Sequence, residues 1–376
     1  MYHETELLSI AEEAARLRAL DLNELKNAPV RRAAKAAAAF ELEGCDTDEL
    51  AAVAAVEVTR AQSDKRTFVP IFMTNYCDSE CLMCGMRKGN QRLRRKFSGR
   101  KVIEEQLTIL RDFEGVRGVG FLTGEYEGGY VRRANAFMVG WAIRRALDMG
   151  FQQVYFNIGS LDAEEIEVLA EWVERDEPVT MCVFQETYER SVYHRFMGGD
   201  TQIPKADFDR RIASFDQWLS AGFRQVNPGV LVGLADPKSD LLSLAAHIEY
   251  LVGHGAAVEV SLPRLRPALG SSTRSRVDDD TYLRLIAAVA FAFPECRIVL
   301  TTRETEEFQQ RALPLVGVIS PGSPDVAPYL RDSAAANDEL SSQFLIPDLR
   351  RPREILTALV RQGYSVTNFA PLGPIP

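Results

Sequence analysis

FVPIFMTNYCDSECLMCG, residues 68–85, is the stretch on which the reading of this chain turns. Its opening, FVPIFMT (68–74), is a short apolar run rich in residues that favour β-structure. The run gives way to a loop holding Cys77, Cys81 and Cys84, spaced C-x3-C-x2-C. Three thiolates at those spacings can hold three corners of a cubane iron–sulfur cluster and leave the fourth iron without a protein ligand. A cluster that only passes electrons normally takes four cysteines. An open coordination position is what separates a catalytic metal site from a structural one.

Outward from this loop the chain repeats one pattern. Further β-rich runs follow at GVGFLT (118–123), QVYFNIG (153–159), VTMCVFQ (179–185), QVNPGVLVG (225–233), AVEVSL (257–262), RIVLTT (297–302) and GVIS (317–320). Amphipathic helical stretches fit between nearly all of them, such as VIEEQLTILRDF (102–113), RANAFMVGWAIRRALDMG (133–150) and DFDRRIASFDQWLSAG (207–222). Residues 66–328 therefore predict an α/β fold, a (β/α)8 TIM-type barrel. Residues 1–65 predict an N-terminal helical extension, helical throughout from residue 5. RRAAKAAAAFELEG (31–44) is rich in the strongest helix former, Gly44 marks a stop and Asp46-Thr47-Asp48 a restart. Residues 329–376, polar and loop-rich around REILTALVRQG (353–363), read as a C-terminal cap over one barrel end.

Composition excludes several classes. A chain of 376 residues that is 46% hydrophobic can bury a large core, and its net charge of −9 argues against nucleic-acid or anionic-membrane binding. No apolar run is long enough to span a membrane, and the N-terminus lacks the basic-then-apolar pattern of a signal peptide. Six cysteines, three of them clustered, do not form a disulfide framework, which predicts a cytoplasmic protein in a reducing compartment. Cys45, Cys182 and Cys296 read as buried apolar groups. His3, His194, His247 and His254 show no metal spacing, and RGVGFLTG (117–124) does not match a dinucleotide fingerprint.

In a barrel of this kind the chemistry gathers past the C-terminal strand ends. Those positions carry Asn75–Cys84, Gly124-Glu125, Glu186-Thr187-Tyr188, Asp236, Arg264 and Arg266, Arg303 and Glu304, and Ser320. The cysteine loop after a first strand resembles the signature of the radical S-adenosylmethionine superfamily. LTGE (122–125) resembles that superfamily's Gly-Gly-Glu element with Thr123 for the first glycine, and PGVLVGLAD (228–236) its glycine-spaced fifth-strand element. FQETY (184–188), SLPRLRP (261–267), LTTRE (300–304) and DLRRP (348–352) are similar to the aromatic amino-acid lyase branch. Within it, the cysteine loop and the length look most like the tryptophan lyases that make 3-methyl-2-indolic acid for thiopeptide antibiotics.

The resemblance implies a 4Fe–4S cluster on the three cysteines and S-adenosylmethionine on its open iron. It implies Glu125 for the cofactor's ammonium, Gln185 and Glu186 for its ribose hydroxyls, and Arg264 or Arg266 for its carboxylate. Arg303 is implied for the carboxylate of the amino acid, a group an arginine grips through two parallel hydrogen bonds, with Ser320 at the same end. A 5′-deoxyadenosyl radical would take hydrogen from the substrate's amino group. Cleavage of the Cα–carboxylate bond with carboxyl migration follows for tryptophan, or of Cα–Cβ, releasing 4-cresol and dehydroglycine, for tyrosine. Met83 replaces the aromatic residue that most members place beside the adenine. The chain as read ends at Pro376 without a cysteine-bearing tail, which argues against the hydrogenase-maturation lyase.

RKGNQRLRRKFSGRK (87–101) has eight cations and no acid. It suggests a surface that steers an acidic flavodoxin or ferredoxin-type reductase, since charge complementarity mainly raises encounter rate. The competing readings are a zinc-stabilised non-catalytic scaffold and a simple electron carrier. The first lacks paired knuckles or close Cys/His spacings, and the second would need a fourth ligand.

Overall fold

A computed structural model describes residues 6–199, 202–331, 333, 335 and 337–372; His3 and the two chain ends lie outside them. Ten strands form one parallel sheet: β1 (Lys65–Thr67), β2 (Val69–Phe72), β3 (Gly118–Leu122), β4 (Gln153–Asn157), β5 (Val179–Glu186), β6 (Gln225–Val230), β7 (Ala257–Ser261), β8 (Arg297–Thr301), β9 (Val318–Ser320) and β10 (Val366–Thr367). Their order is β10-β1-β9-β8-β7-β6-β5-β4-β3-β2.

The two ends of that order meet through the chain itself. β1 pairs with β9, Arg66 beside Val318 and Thr67 beside Ile319, while β2 pairs with β3, from Val69 beside Val119 to Phe72 beside Leu122. The run expected as a single strand is thus one interrupted strand whose halves bond to opposite edges, which brings the sheet round into the expected TIM-type barrel. The break falls at Phe68, whose ring stacks on Tyr155 with centroids 4.0 Å apart. Pro70 has no N–H to offer a ladder, and it sits where the strand has a partner on the β3 side. Gly118 lets the seam close, because a Cβ there would stand 2.0 Å from the carbonyl oxygen of Thr67.

The N-terminal residues form four helices, α1 (Leu7–Leu17), α2 (Leu22–Asn27), α3 (Arg32–Phe40) and α4 (Thr47–Ala61), with the break expected around Gly44 and two further breaks before it. The alanines that favour α3 also let it pack closely. Ala33, Ala34, Ala36, Ala38 and Ala39 are completely buried, and α3 and α4 lie against the barrel helices Pro237–Gly253 and Asp279–Ala292. Arg284 of the latter donates to the carbonyls of Phe40 at 2.6 Å and Cys45 at 2.9 Å, satisfying groups at the end of α3.

The C-terminal residues serve both barrel ends. Gln343, Phe344 and Ile346 lie over the mouth, and after the helix Pro352–Arg361 the chain drops to place β10 beside β1 at the floor. Among the described residues no helix is long and apolar enough to cross a membrane.

Candidate active site

The barrel mouth opens into a cavity with a water-accessible volume of about 220 Å³, more than ten times what one water needs (~15 Å³). Cys77, Cys81 and Cys84 line its upper wall, with Met83 beside them, buried at the position where an aromatic side chain was expected. The loop is stapled from several sides. Asn75 donates to the carbonyls of Arg94 and Ser341 at 2.9 and 2.8 Å, and Arg95 donates to those of Asn75, Met86 and Arg87 at 2.6, 2.8 and 2.6 Å. Gly124 allows β3 to end against it, since a Cβ would lie 2.1 Å from the Tyr76 carbonyl oxygen and 2.7 Å from Cys77 Cα.

Donors converge on the sulfurs. The N–H groups of Glu125 and Ser79 point at Cys77 Sγ from 3.4 and 3.5 Å. The N–H of Met86 points at Cys84 Sγ from 3.4 Å, and the Gln343 amide does so from 3.6 Å. Burial pushes the Cys77 thiol up to about 11, helped by Cys84, and raises Cys81 and Cys84 as well. Three clustered cysteines, each resisting ionisation, would need a cationic centre to hold them as thiolates. Among the described residues no three His, Cys, Asp or Glu side chains converge on one ion position. The thiols of a cubane need not, because each holds a different iron.

Below the cysteines lie two carboxylates, the buried Glu125 and the largely buried Glu186. Glu186 ends β5 in the left-handed region at φ 69°, after a bulge between Phe184 and Glu186 that re-aims its side chain into the cavity. Asp240 fixes the following turn by accepting from Thr187 Oγ1 and the Tyr188 N–H, both at 2.8 Å. Lys205 Nζ sits 2.5 Å from Glu186 and 3.7 Å from Glu125, and Arg211 Nη1 sits 2.5 Å from Glu125 Oε1. Burial and Arg211 press the Lys205 ammonium down, but Glu186 and Glu125 outweigh them and hold it protonated. Among the described residues, Glu125 Oε2 is buried without a partner, so it could accept from a ligand's ammonium.

The rim residues divide. Arg303 lines the cavity with its guanidinium 3.4 Å above the Phe344 ring and, among the described residues, makes no ion pair. Burial lowers it to about 10, still charged at neutral pH. Ser320, at the end of β9, lines the same cavity. Arg266 reaches the cavity while paired with Glu304 at 2.6 Å. Arg264 does not reach it: its guanidinium is held by Glu304 and, at 2.6 Å, by Asp279, over the rings of Tyr282 and Phe308. Gln185 also points elsewhere, toward the Phe208 carbonyl at 3.4 Å, because neighbours along a strand face opposite ways. Lys205 and Arg211 were missed in the sequence. Two carboxylates predicted inside a barrel imply such counter-charges, but nothing in the spacing says which cations supply them.

Comparison with known proteins agrees with this geometry. The profile of the Biotin and Thiamin Synthesis associated domain matches residues 261–365. The chain is 29% identical over 318 residues to 2-iminoacetate synthase of Salmonella typhimurium, covering 79% of this chain and 75% of the relative. The Escherichia coli 2-iminoacetate synthase gives 29% over 315 residues, again covering 79% and 75%. Among solved structures, HydG, a maturase of the FeFe-hydrogenase, superposes with a TM-score of 0.81 at 25% identity, covering 98% of this chain and 80% of that one. Methylornithine synthase shares the fold at a TM-score of 0.67 and 16% identity, covering 95% and 97%.

The chain has the fold of HydG and the three-cysteine loop expected of radical S-adenosylmethionine enzymes, and it is similar to 2-iminoacetate synthases over most of its length. It is a carbon–carbon lyase with a 4Fe–4S cluster and S-adenosylmethionine as cofactors. The site fits both groups: Cys77, Cys81 and Cys84, with N–H donors already aimed at two of their sulfurs, for the cluster, and the free Glu125 Oε2 for the cofactor's ammonium. The basic run beside the loop is less open than its composition suggests. Lys88 pairs with Glu127 at 3.1 Å, Arg94 with Asp338 at 2.8 Å and Lys96 with Asp325 at 3.1 Å, and Arg95 is spent on loop carbonyls. Arg92 and Lys101 are exposed and, among the described residues, unpaired.

Proposed function

We propose that this chain is a radical S-adenosylmethionine enzyme acting on an aromatic amino acid, with tryptophan as substrate and 3-methyl-2-indolic acid as product. The observation that carries the reading is Arg303, a partly buried cation on the cavity wall that makes no ion pair among the described residues. A charge held partly out of water without an ion-pair partner is unfavourable, and a substrate carboxylate offsets that cost. Ser320 hydrogen-bonds the same end of the substrate, and Phe68, Tyr155, Phe156 and Phe184 wall the space for an aromatic ring. When bound, the cluster and S-adenosylmethionine supply a 5′-deoxyadenosyl radical at the mouth. Holding the carboxylate at Arg303 presents the amino group there for loss of hydrogen, and the wall residues exclude water. Cleavage of Cα–carboxylate with carboxyl migration is the outcome proposed.

The resemblance of the cysteine loop favours tryptophan. The 29% identity to 2-iminoacetate synthases favours the second reading, a tyrosine lyase breaking Cα–Cβ to give 4-cresol and dehydroglycine. Glu125, Glu186 and Arg266 are proposed to bind the cofactor. Gln185 and Arg264 could act on it only through the backbone or a neighbour. An acidic flavodoxin or ferredoxin-type reductase is proposed as electron donor, in the cytoplasm, where six unpaired cysteines persist.

The test incubates reconstituted protein, S-adenosylmethionine and dithionite with tryptophan or tyrosine and reads products by mass spectrometry. 3-Methyl-2-indolic acid with 5′-deoxyadenosine supports the first reading, and 4-cresol the second. No 5′-deoxyadenosine with either removes both. Arg303→Ala should lower turnover at least ~100-fold, the scale of a lost charge-assisted bidentate contact, with iron content unchanged. Loss of iron in that variant would mean that Arg303 serves the fold.

A further inference from the structure

Asn227, in the middle of β6, has no exposed surface and lines the cavity, yet among the described residues neither its Oδ1 nor its Nδ2 finds a partner. Native proteins leave few buried amides in that state, because a desolvated donor or acceptor without a partner is strongly unfavourable. The floor around it cannot serve it. Cys182, its strand neighbour on β5, offers only a weakly bonding thiol, and Tyr155 donates its hydroxyl to Glu259 at 3.2 Å. Phe68 stacks on Tyr155 and closes the apolar side.

Position separates this amide from the cofactor end. Cys81, Glu125 and Glu186 gather at the mouth, whereas Asn227 lies three residues before β6 ends. Arg303 stands two residues beyond the end of β8. A molecule whose carboxylate meets Arg303 therefore has its far end directed down toward Asn227.

We propose that Asn227 is a specificity-determining residue that reads the polar atom on the substrate's aromatic ring, its Oδ1 accepting from an indole N–H or a phenol O–H. The inference rests on the aromatic amino-acid reading above. A site built to hydrogen-bond a substrate group rejects the isostere lacking that group far more strongly than a hydrophobic pocket rejects a change in size. Asn227 would thus select ring chemistry, while Arg303 selects the amino-acid end.

The test compares each amino acid with an isostere that lacks the donor: tryptophan with 3-(benzothiophen-3-yl)alanine, and tyrosine with phenylalanine. The reconstituted enzyme is assayed for kcat/KM by 5′-deoxyadenosine release, and for binding by calorimetry. The turned-over amino acid should be preferred over its isostere by about 10- to 100-fold in both readouts. In Asn227→Leu, of similar volume, the preference should shrink to within about threefold, with the loss falling on the parent amino acid. Asn227→Ser should keep part of it. General damage to the fold lowers parent and isostere together and leaves the ratio alone. If neither tryptophan nor tyrosine is turned over, the aromatic reading falls and this inference with it. If one is turned over but wild type shows no preference, or Asn227→Leu keeps it, the reading stands and the role of Asn227 is overturned. An amide that merely holds a water gives that second result.

Discussion

Replacing Arg211 by Met should be among the most damaging single changes in this protein. Arg211 is 1% exposed, on the helix Phe208–Ser220, and reaches across to Glu125 Oε1 at 2.5 Å. It also donates twice to the Phe184 carbonyl, at 3.2 and 2.7 Å. Met fills much of the volume but leaves the Glu125 carboxylate buried without its nearest cation. Breaking a buried pair in this way costs about 3–5 kcal/mol. Lys205, 3.7 Å from Glu125, retains part of the compensation while Glu186 holds it at 2.5 Å. The lower figure, ~3 kcal/mol, is therefore expected. Urea unfolding followed by far-ultraviolet circular dichroism measures it as a fall in midpoint with little change in slope. The double variant Arg211→Met with Glu125→Gln removes the stranded charge and should regain ~1–2 kcal/mol of the loss. A single-variant loss below ~1 kcal/mol would refute the view that this pair carries the charge balance under the cysteine loop.

Two further outcomes can be measured. His247 is buried against Phe215, with Nδ1 2.6 Å from the Tyr188 hydroxyl, and burial lowers its pKa to about 3. Because that lies below the ~6.5 of an unfolded imidazole, its stabilising contribution is full above that pH and is lost as pH falls toward 3. Between pH 7 and pH 5 the wild type should lose ~2 kcal/mol that His247→Phe does not lose, and equal losses would discard the assignment. Reversing the unpaired cations, Arg92→Glu with Lys101→Glu, should slow reduction by a flavodoxin about tenfold at low salt and leave reduction by dithionite unchanged. Equal slowing with both reductants would remove the docking idea.

Much of the site was legible because strand ends and motif spacing are local facts. The three cysteines, Glu125, Glu186, Arg266, Arg303 and Ser320 all line the cavity. The two candidates that do not line the cavity share one cause. Gln185 and Arg264 each lie one or two residues from a cavity-lining neighbour, Glu186 and Arg266, and which member of a pair turns inward depends on local backbone geometry. At Glu186 it is a bulge and a left-handed residue that decide, and neither leaves a mark in composition.

The sequence by itself determined that one iron would be left open, that the loop would follow a strand, and that the repeating β–α pattern would make a barrel. Each of these follows from residue type and spacing within a few turns of chain. Tertiary structure alone decided that Lys205 and Arg211 neutralise the two inner carboxylates and that, among the described residues, Arg303 makes no ion pair and Asn227 finds no partner. Those are contacts, or missing contacts, between segments tens of residues apart. Burial is what gives them consequence, since a charge or amide that water would satisfy at the surface must find its partner in a protein or a ligand once it is inside.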